Sequence, residues 1–127
     1  MNKTKINELL PRAVEILKTT GIVYDGNKIC KTYRGQISTF GAAVYSGSLL
    51  AAVAFFSDRG GAEADRVKLM KAIYSLITKK EPNGKDALYN YVSENKNCKE
   101  EVINAAIALK IAMNVYDLED KNKEEEK

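Results

Sequence analysis

Apolar residues recur along this chain mostly three and four positions apart, the spacing that lines one face of an α-helix. Residues 5–19 set the pattern with Ile6, Leu9, Leu10, Ala13, Ile16 and Leu17, with Thr4 as a predicted N-cap and Gly21 as a terminator. Pro11 falls inside that stretch; lacking an N–H, it predicts either a kink or a helix that begins near it. After the turn signal Asp25-Gly26-Asn27, a second helix is predicted over residues 27–45. Its wheel gathers Ile29, Tyr33, Gln36, Ile37, Phe40 and Val44 on one side and Lys28, Lys31 and Arg34 on the other. Ser46-Gly47-Ser48 ends it and caps a third helix over residues 49–57, which is apolar all round. Such a helix requires a central place in the core or cover from a partner subunit.

Gly60-Gly61 marks the clearest internal loop, and a fourth helix is predicted over residues 62–79. It turns Leu69, Met70, Ile73, Leu76 and Ile77 inward and Lys68, Lys71 and Lys79 outward. The turn Pro82-Asn83-Gly84 leads to a shorter helix over residues 85–95, carrying Leu88, Tyr91 and Val92. A last helix over residues 99–118 has Val102, Ala105, Ala106, Leu109, Ala112, Met113 and Tyr116 as its core stripe. No alternating strand pair is legible. The expected fold is all-α: a single-domain bundle of about six helices over residues 1–118, mostly antiparallel because the connections are short. Residues 119–127 carry charge without apolar period and are expected to form a disordered tail. A chain of 127 residues with 45% hydrophobic composition can build one such core.

Composition removes most chemistry. The chain has no histidine, which is read as excluding histidine-based triads and zinc sites, and two isolated cysteines cannot build a four-thiolate site. Cys30 and Cys98 show no C-x-x-C spacing and are expected to be buried, reduced thiols. Gly60-Gly61 lacks the spacing and the preceding strand of a phosphate loop. Glu100 and Glu101 point different ways around their helix, the glutamates at 124–126 lie in the tail, and Asp58, Glu63 and Asp65 are explained by helix capping. A protein without catalytic residues, metal or cofactor is expected. The uncharged run at residues 35–57 is interrupted by polar residues and too short in its apolar part to span about 30 Å of hydrocarbon. The first residues lack the apolar stretch of a secretory signal, which predicts a cytoplasmic protein outside the membrane.

The net charge of +3 divides unevenly: residues 1–80 carry +7 and residues 81–127 carry −4. A basic first part suits an anionic partner, since Lys and Arg neutralise phosphates whatever the base sequence. The two basic helix faces, Lys28, Lys31 and Arg34 on one and Lys68, Lys71 and Lys79 on the other, could follow a phosphate backbone if their helices pack side by side. Ordinary solvated faces would look the same in sequence. Of the seven tyrosines, Tyr33, Tyr74, Tyr91 and Tyr116 fall on apolar stripes, whereas Tyr24 and Tyr45 lie near loops and are freer to stack on bases.

A helix with scattered basic residues, then Gly47-Ser48-Leu49-Leu50 and the element Ala54-Phe55-Phe56, resembles the small subunit of the type III-B CRISPR RNA-targeting assembly, the Cmr complex. The Ala-rich stretch Asn104-Ala105-Ala106-Ile107-Ala108-Leu109-Lys110 is similar to that family's last helix, and the resemblance extends over roughly residues 5–118. The chain departs from the pattern at Phe40-Gly41, where a proline is expected, in lacking tryptophan, and in its acidic tail. The resemblance implies a non-catalytic subunit that stacks along the backbone subunits of an antiviral effector and lines the groove where guide RNA pairs with target RNA. Basic residues would there hold phosphates while guide pairing supplies specificity. Lys28, Lys31, Arg34, Lys68 and Lys71 are the RNA-contact candidates, chosen from the helix faces. Two other readings compete: a DNA-binding regulator with a helix-turn-helix around residues 57–79, and a helical scaffold that touches no nucleic acid.

Overall fold

The computed structural model describes residues 2–58 and 65–120. Among these, six helices form the body: α1 (Lys3–Thr19), α2 (Lys31–Ser46), α3 (Leu49–Phe56), α4 (Arg66–Thr78), α5 (Ala87–Glu94) and α6 (Lys99–Ala112). The all-α bundle expected from the apolar period is present. Its central member is α6, not α3: Val102, Ala105, Ala106, Ala108, Leu109 and Ala112 are buried, and α1, α2 and α4 all pack against it. The alanines explain this, because short side chains let neighbouring backbones approach on several sides at once. Around them close Leu17, Ile37, Phe40, Leu69 and Ile73, all withdrawn from water. In α3 only Ala52, Val53 and Phe56 are buried, while Leu50 and Phe55 remain outside. The alternative cover named in the sequence, a partner subunit, therefore stays open for that helix.

Local chemistry sets the boundaries. Asn2, not Thr4, caps α1, its side chain accepting from Lys5 N at 3.1 Å. The helix then runs through Pro11 without ending; both Pro11 and Asn7, whose carbonyl loses its helical donor, are exposed, so water can take that carbonyl. Ser48 caps α3 by accepting from Ala51 N at 3.1 Å, and Asp65 caps α4 by accepting from Val67 N at 2.9 Å.

The sequence reading missed a small sheet. Strands β1 (Val23–Tyr24) and β2 (Lys28–Cys30) are antiparallel, and β3 (Asp117–Glu119) lies parallel to β2 on its other side. Asp25 and Gly26 both take positive φ, 49° and 84°, and reverse the chain between β1 and β2. The predicted second helix is therefore corrected: it starts at Lys31, because residues 28–30 are extended with Ile29 and Cys30 buried. The last helix stops at Ala112, passes through a 3₁₀ turn at Met113–Val115 and gives way to β3. Glu119, assigned in sequence to the tail, is the final residue of that strand. The predicted first turn of the fourth helix, Gly60-Gly61, Glu63 and residues 121–127 lie outside the described residues. No helix among those described is long and apolar enough to cross a membrane.

Candidate nucleic-acid interface

The five candidate cations sit on three elements, not two helix faces. Lys28 belongs to β2 and pairs with Glu119 of β3 at 3.9 Å, both side chains being about one-third exposed. That removes it from the α2 face on which the sequence placed it, and an acid of its own chain offsets its charge. Lys31 and Arg34 occupy the first turn of α2, one turn apart on the same side; Lys31 is exposed and Arg34 half-buried. Among the described residues neither forms an ion pair. The side of α2 turned away from them buries Tyr33, Ile37, Phe40 and Val44, so the periodic core fixes which way the cations point.

Lys68 and Lys71 lie on α4, half-buried along their stems. Lys68 Nζ donates to the Gly21 carbonyl at 3.3 Å, where the chain leaves α1 for β1. Gly21 has φ 80°, and a β-carbon there would stand 3.5 Å from that ammonium. Lys71 has no ion pair among the described residues. Lys79, the third cation of this predicted face, sits past the helix end as its left-handed C-cap. The two helices meet at their first turns: the Tyr33 hydroxyl accepts from Asp65 N at 3.2 Å, joining the start of α2 to the cap of α4. Lys31, Arg34 and Lys68 thus lie in the first turns of two helices that meet at Tyr33 and Asp65, Lys71 lies about one turn further along α4, and Lys28 is tied to the sheet.

Other polar groups are committed to structure. Arg12 reaches from α1 to the end of α4, donating to the carbonyls of Ser75 at 2.9 Å and Leu76 at 3.0 Å. The one buried polar side chain among those described, Asn104, accepts from Asn2 N at 3.0 Å. Cys30 and Cys98 are free and buried, as expected. Burial, and then the nearby Glu101 carboxylate, push the Cys98 thiol above its usual range, which keeps it protonated and unreactive at neutral pH. The described residues include no cluster of acids and cysteines able to hold a metal.

Of the tyrosines assigned to the core, Tyr33 and Tyr116 are buried, while Tyr74 and Tyr91 meet edge to face at the core boundary. Tyr45 is 77% exposed, as the sequence suggested; Tyr24 is half-buried within β1. Sequence reasoning missed two residues beside α2. Phe55, 63% exposed, lies under the Arg66 guanidinium, whose carbon stands 4.6 Å from the ring centroid. The available signal was the uniformly apolar third helix, which has more apolar surface than one core-facing stripe can bury. A second apolar surface runs between α2 and α6, a shallow groove floored by Gly41, Ala42 and Ala106 and edged by Tyr45, Ile103 and Ile107.

Comparisons of the chain with protein-family models, with curated proteins and with solved structures gave no match.

Proposed function

We propose that this chain is a non-catalytic small subunit of a type III-B CRISPR (Cmr) ribonucleoprotein complex, working in the cytoplasm in antiviral defence. The observation that carries the reading is the pair Lys31 and Arg34, presented from the first turn of α2 without an acid partner among the described residues, on a helix whose start meets that of α4, the helix of Lys68 and Lys71. Such a surface holds phosphates through charge and reads no base sequence. The apolar groove between α2 and α6 supplies a seat for a backbone subunit of the complex, since a seated chain would cover Tyr45, Ile103 and Ile107.

The helix-turn-helix reading is less well supported. Nine residues, Ser57 to Asp65, separate α3 from α4, in place of a tight three- or four-residue turn. The start of α4 is also engaged: Val67, Leu69 and Met70 are buried and Arg66 lies over Phe55 and Phe56. A recognition helix needs that first turn free for base edges.

The test is a titration of single-stranded RNA, a guide–target RNA duplex and duplex DNA across a range of salt concentrations. Weak, salt-dependent RNA binding is expected from the isolated chain. Lys31→Glu and Arg34→Glu should each weaken it and flatten the salt dependence by about 0.7 in log–log slope for single strands. A preference for one duplex DNA sequence would favour the regulator. Absence of salt-dependent binding, alone and with backbone subunits, would favour a scaffold.

A further inference from the structure

The two phenylalanines that end α3 face opposite ways. Phe56 turns inward and meets Phe40 edge to face at 5.2 Å; Phe55 turns outward, edge to face with Phe56 at 5.6 Å, and leaves most of its ring in water. Arg66, the first residue of α4, lies over both rings, 4.6 Å from the centroid of Phe55 and 5.4 Å from that of Phe56. Its Nε donates to the Asp58 carbonyl at 3.1 Å, which fixes the guanidinium in place while using one of its five N–H donors. Beside this pair, Thr32, Gly35, Gln36 and Thr39 of α2 form the wall of an open recess of about 400 Å³. Gly35 leaves that wall flat, since a β-carbon there would meet nothing within 4 Å. One helical turn before Gly35 on the same helix stands Lys31.

The Thr39 hydroxyl gives its proton to the Gly35 carbonyl at 3.0 Å and keeps an acceptor toward the recess. A flat aromatic ring, an immobilised guanidinium plane, threonine oxygens along one wall and an ammonium one turn away are the elements that single-stranded RNA uses: a face for the base, guanidinium donors and hydroxyl acceptors for its edge, and a cation for its phosphate. Protein interfaces are depleted of lysine, whereas Lys31 stands one turn from this recess. We infer that the Phe55–Arg66 recess is a stacking subsite for an unpaired RNA base whose phosphate lies toward Lys31. The inference rests on the proposed RNA-binding role and names the part of the RNA that this surface takes: a splayed base in addition to the backbone.

The experiment compares two probes of equal length, an oligouridylate and an abasic ribose-phosphate chain, on the full chain and on Phe55→Ala, Phe55→Trp and Lys31→Glu. Phe55 is exposed, so its replacement leaves the core intact, and circular dichroism checks this. Phe55→Ala is expected to weaken oligouridylate binding about 5- to 150-fold, the worth of one stacked base, with the salt slope unchanged and the abasic chain unaffected. Phe55→Trp should restore it, and Lys31→Glu should weaken both probes and lower the slope. Equal loss on the two probes, or no loss on either while Lys31→Glu still acts, overturns the stacking subsite and leaves the RNA-binding role standing. No binding of either probe by the native chain overturns both. A change in sedimentation of Phe55→Ala with RNA binding untouched would mark the recess as a protein contact and overturn the inference as well.

Discussion

Tyr116 connects distant parts of the chain through one atom. Its hydroxyl donates to the Val14 carbonyl at 2.7 Å, and the Lys18 ammonium lies 6.0 Å from its ring, so the segment after α6 is held against α1. Replacing it by phenylalanine keeps the ring and deletes the bond; Tyr116→Phe is expected to lower the unfolding free energy by about 1 kcal/mol in urea titrations. The same phenol is pushed above its usual range by burial and then by Glu15, and Tyr91 and Cys98 are pushed up by burial and then by Glu101. In all three the folded state favours the neutral form. Their stabilising contribution is therefore complete below the pKa of the unfolded group and is lost as pH rises past it, because the unfolded chain then releases protons that the folded one keeps. The thiol ionises first, near pH 8.5 when unfolded. Melting temperature should hold steady around neutrality and decline above about pH 9, and in Cys98→Ala, measured against its own neutral value, the decline should begin at higher pH. A profile unchanged by that substitution would assign the alkaline loss to other groups.

At the scale of elements, the helices were legible because each repeats its apolar period over several turns, and the sheet was not because strands of two or three residues contain no period at all. Ile29 and Tyr33 are four apart, so residues 28–30 read as the first turn of a helix; only the left-handed pair Asp25 and Gly26 carries a hairpin signal there. The parallel partner β3 lies nearly ninety residues further on, and no local pattern could pair it with β2. One candidate moves with that difference: the period places Lys28 on a helix face, and the structure pairs it with Glu119 across β2 and β3. Lys31 and Arg34 lie on α2 outside its core stripe, where the period places them, since Tyr33, Ile37, Phe40 and Val44 fix the inner side. Phe55 and Arg66 escaped because their contact spans two helices. The pairing of Lys28 yields a prediction. Both partners are partly exposed, so the bridge contributes about 0–1 kcal/mol. Glu119→Lys loses that bridge and sets a second cation beside Lys28, a repulsion of similar size, so it should cost about 1–2 kcal/mol in urea unfolding while it adds positive charge at this edge. Tighter single-stranded RNA binding with a steeper salt dependence is expected; unchanged RNA affinity would place β2 and β3 outside the RNA surface.

The whole molecule is held by contacts between segments far apart in sequence. Asn2 and Asn104 join the first turn of α1 to α6, Tyr116 reaches Val14, and Arg12 closes the end of α4. The first helix thereby depends on α4, α6 and the segment after it, which the chain reaches only much later, and this argues for one cooperative unfolding unit. Phe40 is the place to test it. The side chain is fully buried in α2, touches Phe56 of α3 edge to face, and belongs to the same core cluster as the α6 alanines. Phe40→Ala removes a buried ring whose neighbours, fixed on three helices, can close the gap only in part, and a loss of about 3–5 kcal/mol is expected. Helix content followed by circular dichroism and packing followed by tyrosine fluorescence should shift to lower denaturant together, with a common midpoint. If part of the helix signal were lost at lower denaturant than the rest, α2 and α3 would form a unit separable from α1 and α6, and the cations of α2 would then rest on a platform that yields before the rest of the fold.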